Sequence, residues 1–153
     1  MARRSGSTTR AILLAGLAAG AVDLVAAFVI YRSAGPQRIL QSIAAGLQGD
    51  AAFAGGLTSA AVGLAAHLLI AILFAALYVA AARAAPVLLR RPWLAGPAFG
   101  VVVYGWMNAI VVPLSRAPTG APPPSEIIGQ GLVAHLLFGL TLALIAARLL
   151  PRR

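Results

Sequence analysis

Four stretches of this chain, at about 11–31, 55–82, 93–115 and 127–148, run for more than twenty residues with at most one charged side chain each. A helix rises about 1.5 Å per residue and the hydrocarbon core of a bilayer is about 30 Å thick, so roughly twenty apolar residues suffice to cross it. Each stretch is predicted to be a transmembrane helix, because a lone span in hydrocarbon must satisfy its backbone polar groups within itself. The only charge inside the first stretch is Asp23.

The connections differ in pattern. Between the first two spans, Ile39, Leu40, Ile43 and Leu47 fall within about a hundred degrees of a helical wheel, with Gln37, Arg38, Gln41 and Gln48 opposite them. This predicts a short interfacial helix with its apolar side down. The third connection carries Pro118, Pro122, Pro123 and Pro124 and is predicted to be an extended loop. Pro113 is expected to bend or end the third span.

Composition agrees with a bilayer solvent: 61% hydrophobic and 10% charged residues leave too little polar surface for a water-soluble fold. Lysine is absent, and nine of the twelve cationic residues are Arg3, Arg4, Arg10, Arg83, Arg90, Arg91, Arg148, Arg152 and Arg153. They flank the apolar runs at both termini and in the second connection. By the positive-inside rule both termini are expected on the cytoplasmic side of the membrane. Arg32, Arg38 and Arg116, with Asp50 and Glu126, belong to the opposite side. A cleavable leader is the rival reading of the amino terminus, but the run to Tyr31 exceeds the usual apolar core of a signal. The arginine placement speaks for lipid phosphates and against nucleic acid as the partner. Without cysteine, disulfides, iron–sulfur ligation and thiol catalysis are excluded.

An internal repeat links the second and fourth spans: residues 63–69 read GLAAHLL and residues 131–137 read GLVAHLL. Both spans run in the same direction, so a repeat of two similar helical hairpins puts His67 and His135 at equal depth. The span midpoints bring Asp23, His67 and Tyr104 to that depth as well, with Asn108 one turn away. Gly16 and Gly20 share a face with Asp23, and Gly96 and Gly100 share one with Tyr104 and Asn108. Gly63 and Gly131 lie one turn from the two histidines. Small faces pack against neighbouring helices and polar side chains avoid lipid, so these stripes are expected to turn inward as one polar layer.

Three chemistries fit that layer. The five side chains can hold the helices together and be mainly structural. His67 and His135, on diagonal helices, could supply both axial ligands of a b-type haem. Asp23 with the two imidazoles could pass a proton, or ligate zinc or iron. No catalytic constellation surrounds any serine and no phosphate loop is present, so the expectation is a non-enzymatic protein.

The succession of AGLAAGAVDL at 15–24, AHLLIAILFAALY at 66–78, VVPLSRAP at 111–118 and SEIIGQGLVAHLLFGL at 125–140 resembles the YagU-like family of small bacterial inner-membrane proteins. The likeness covers most of the chain and lies mainly in helix-packing patterns. It implies four helices in the inner membrane and an envelope or acid-stress role, and it transfers no catalytic residue. The expectation is therefore one all-α domain over residues 1–153: a four-helix transmembrane bundle with a short interfacial helix between helices 1 and 2. Its small helix faces also suit a homodimer or an accessory subunit of a larger membrane complex.

Overall fold

The computed structural model describes residues 2–118 and 124–151, and among these there is helix but no strand. In chain order the helices are α1 (Ala2–Ile30), α2 (Pro36–Gln48), α3 (Gly56–Ala84), α4 (Val87–Arg90), α5 (Pro92–Trp106), α6 (Val112–Leu114) and α7 (Ser125–Leu149). A 3-10 stretch, Gly49–Ala54, joins α2 to α3, and a π-helical stretch, Met107–Val111, joins α5 to α6. Four helical segments are long and apolar enough to cross a membrane: Ser7–Ile30, Gly56–Ala84, Pro92–Leu114 and Ser125–Leu149. The chain is thus built as a polytopic membrane protein. Half of the proline loop expected over residues 116–125, residues 119–123 with Pro122 and Pro123, lies outside the described residues.

The four long helices form a bundle in which α1 packs between α3 and α7, and α7 packs between α1 and α5. Helices α3 and α7 face each other across the centre with few direct contacts. The fourth side, between α3 and α5, is closed by Phe99, whose ring lies edge-on to Phe74 and Tyr78 at centroid distances of 6.4 and 5.1 Å.

The distribution of side-chain size follows from the solvent. Lipid is as apolar as leucine, so helices gain little by burying large side chains and more by approaching closely. Alanines dominate the interior, among them Ala11, Ala15, Ala19, Ala75, Ala82, Ala143 and Ala146. Leu13, Leu17, Leu69, Leu73, Trp93, Val102 and Trp106 point outward. A methyl added at Gly96 would meet the backbone of Gly139 and Leu140, and one at Gly100 the backbone of His135, so α5 and α7 touch main chain to main chain.

Near the termini the bundle is sealed by a core that includes Tyr78, Val79, Leu142 and Phe138. The Tyr78 hydroxyl donates to the Leu88 carbonyl at 3.1 Å, anchoring α4 beneath α3. The Ser7 hydroxyl reaches the Leu149 carbonyl at 3.2 Å and Arg83 reaches the Thr8 hydroxyl at 3.4 Å, tying three helix ends together.

At the far end, α2 lies against the first half of α3. Ile39, Gln41, Ala44 and Ala45 are buried, whereas Leu47 stays 59% exposed. The reason is Gly63: its bare backbone faces Leu40 and Ala44 of α2, so the small side of α2 nests there and its polar neighbour goes under with it. Gln41 is satisfied by donating to the Gly56 carbonyl at 3.2 Å. The glycine one turn before His67 therefore serves α2 and not the bundle centre. The backbone N–H of Arg116 donates to the Gly46 carbonyl at 2.9 Å, fastening the end of α2 to the exit of α6.

Pro113 acts one turn earlier than a simple helix stop. It has no N–H to offer, and its ring crowds the carbonyl four residues back. The preceding turn, Met107–Val111, widens to π geometry and the helix ends at Leu114.

Candidate functional site

Asp23 stands on α1, the helix flanked by both histidine-bearing helices. Its Oδ2 lies 4.0 Å from Nε2 of His67 on α3, and its Oδ1 lies 3.7 Å from Nδ1 of His135 on α7. Neither separation is a hydrogen bond, and no donor among the described residues bonds the Asp23 side chain. The carboxylate is thus held between two imidazoles without a hydrogen-bond partner of its own.

Both imidazoles have their tautomer set by main chain. His67 Nε2 is 2.9 Å from the Gly20 carbonyl and His135 Nδ1 is 2.9 Å from the Gly131 carbonyl. A carbonyl only accepts, so each of these nitrogens carries a hydrogen, and in the neutral rings His67 Nδ1 and His135 Nε2 are lone-pair acceptors. Gly20 is required here: a methyl at that position would press on Ala71 of α3 and push His67 off its carbonyl.

Tyr104 and Asn108 complete the group from the fourth helix. The Tyr104 ring meets His135 edge-to-face at 5.2 Å, and its hydroxyl donates to the Ile128 carbonyl at 3.3 Å. Asn108 returns its amide to the Tyr104 carbonyl at 2.8 Å, one residue into the π-helical stretch. The structure therefore places Asp23, His67, Tyr104, Asn108 and His135 on one wall system, with the first, second and last in a compact cluster.

All five line a cavity of about 650 Å³ that extends from the cluster toward the far end, past Leu24, Ala27 and Ile30 to Tyr31 and Ala34. Its other wall comes from α2, through Arg38, Ile39, Ser42 and Ile43, together with Phe53. On the side of the cluster nearer the termini there is only a void of about 50 Å³, walled by Ile70, Ala71, Phe74, Val103 and Phe138. Beyond it lies the sealed core. The cluster thus forms the floor of the larger chamber, and its side chains keep 16% exposure at His67, 19% at Asp23 and 21% at His135. They are therefore part-exposed at the bundle centre.

The contribution of α2 is not legible from periodicity. Arg38 falls on the polar face of the wheel, yet its guanidinium sits 3.9 Å from the centroid of the Phe53 ring, so the cation packs on the chamber wall. Nothing in the spacing of residues 38 and 53 signals that contact. Among the described residues no group of three histidine, cysteine, aspartate or glutamate side chains is arranged to hold a metal ion. The two imidazoles and one carboxylate considered for zinc or iron do not form such a group. No family model, curated protein or solved structure matches this chain.

Proposed function

We propose that this is a proton-responsive protein of the bacterial inner membrane, with both termini cytoplasmic and the chamber facing outward. Its Asp23–His67–His135 cluster takes up and releases protons on that side. One observation carries the reading: a carboxylate deep in a membrane helix, with no hydrogen bond from another described residue, stands between two imidazoles at the floor of a chamber. An intramembrane carboxylate is costly and is retained where it serves a site or pathway. Histidine is the side chain that ordinarily changes charge near neutrality. Proton uptake turns His67 Nδ1 or His135 Nε2 from acceptor to donor, or removes the carboxylate charge, and either change alters what the chamber holds.

The apolar seal below the cluster favours a one-sided site over a relay that crosses the bundle. The resemblance to YagU-like proteins, with their envelope and acid-stress connection, is part of this proposal. So are the two-hairpin repeat and the seating of α2 at the membrane interface. A b-type haem between His67 and His135 is the weaker reading, because the Asp23 carboxylate occupies the space between the imidazoles and each ring bonds a backbone carbonyl.

The test is an infrared titration of the full chain in phosphatidylcholine nanodiscs. A protonated-carboxyl band that rises with acid and is absent from Asp23→Asn supports the proposal; the same band in both proteins, or in neither, overturns it. An oxidised-minus-reduced visible spectrum of haem-supplied protein decides the weaker reading.

A further inference from the structure

The polar groups of the chamber have a common bias. His67, His135 and Tyr104 donate to the carbonyls of Gly20, Gly131 and Ile128, Asn108 donates to that of Tyr104, and Ser42 donates to that of Ile39 at 2.7 Å. Their hydrogens are largely committed to main chain. What they still present is lone pairs: His67 Nδ1, His135 Nε2, the oxygens of Tyr104, Asn108 and Ser42, and above all the unbonded carboxylate of Asp23. Among the described residues Asp23 is also the only anionic one lining the chamber.

A floor of acceptors around one negative charge discriminates by chemistry. Carboxylates and phosphates meet repulsion there, and ketones or quinones, which only accept, find few donors. An ammonium group offers several N–H donors and a positive charge, and pairs with the Asp23 carboxylate. The rest of the wall is mainly apolar, from Leu24, Ile39, Ile43 and Met107, with the Arg38 guanidinium packed on the Phe53 ring and Tyr31 as its other polar members, and about 650 Å³ lies within the range of small-molecule sites. We infer that the chamber binds an amphiphilic amine, its ammonium group on Asp23 and its hydrocarbon body against α2. The inference rests on the proposed function, since it needs an ionised carboxylate that the outer side can reach.

Two sources can supply an ammonium group: a free amine, or the headgroup of an aminophospholipid. Asp23 lies seven residues inside the end of α1, about 10 Å along the helix axis. A headgroup would have to leave its own layer to reach it, so the free amine is the source.

Direct binding tests this. The full chain in phosphatidylcholine nanodiscs is titrated calorimetrically with 2-phenylethylamine and, separately, with neutral 2-phenylethanol. The expected result is saturable amine binding, weakened at least about tenfold in Asp23→Asn by loss of a charge-assisted hydrogen bond and retained in Asp23→Glu. The alcohol should bind more weakly and be indifferent to Asp23→Asn. Binding of amine and alcohol with equal strength, or undiminished amine binding by Asp23→Asn, overturns the inference. Phosphatidylethanolamine added to the discs should leave amine binding unchanged, and competition from it overturns the free amine as source. The infrared titration of the same samples separates the two proposals. A titrating Asp23 without amine binding removes only the amine, and a carboxyl that never titrates removes both.

Discussion

Oδ1 of Asp23 lies 3.7 Å from Nδ1 of His135, a nitrogen whose hydrogen already goes to the Gly131 carbonyl one turn back. The pair attract without bonding, and the same is true on the other side, where His67 leans on Gly20. A carboxylate evolved as interhelical glue would take those hydrogens for itself. Here the main chain takes them.

That difference bears on stability. Asp23→Leu removes an unbonded carboxylate from the bundle centre and should leave the fold equally stable, or more stable by about 1–2 kcal/mol. Reversible unfolding in mixed micelles measures it, and a loss of more than about 1 kcal/mol would favour the glue role.

Glycines of two kinds should respond in opposite senses. Gly100→Ala places a methyl on the His135 backbone, separating α5 from α7 at a cost of about 1–3 kcal/mol. Gly105→Ala meets nothing within 4 Å and should be neutral or stabilising by up to about 1 kcal/mol. Thermal melts of the two variants side by side test the pairing.

The absence of cysteine makes accessibility direct to map. In Ala27→Cys, on the chamber wall, a membrane-impermeant methanethiosulfonate should react from the far side of the membrane. In Ala75→Cys, fully buried in the sealed core, it should react from neither side. Labelling of both from the side of the termini would mean that the seal leaks.

Arg38→Ala removes the cation from the face of Phe53. A contact of this kind contributes about 0.5–1 kcal/mol at an exposed site, so amide exchange across α2 should quicken by about two- to fivefold. Exchange in α3 and α7 should not change, and a uniform acceleration would make the substitution a global destabilisation.

The membrane helices and the polar group were legible because they rest on strong local signals. Length and apolarity mark a span whatever its partners, and rare polar residues in such a span have few places to face. The equal levels of His67 and His135 could be counted from a repeat. The role of α2 could not. Its wheel separates large apolar from polar residues, but packing on Gly63 is decided by which side is small, and burial of Gln41 depends on a carbonyl fifteen residues away. The wheel puts Arg38 on its polar face and says nothing of Phe53, because that ring is contributed by a different element. Tautomers, too, are set by carbonyl positions and not by sequence spacing.

The π-helical stretch Met107–Val111 amounts to one residue more than an α-helical turn would use. Wound instead as ordinary helix, the same residues would rotate everything after them by about 100° and lengthen the path by about 1.5 Å. Val112 would leave the chamber wall, and Arg116 would lose its seat under the Gly46 carbonyl. The piece of chamber wall that Val112 supplies is therefore keyed to the bundle by a single extra residue in the turn before it.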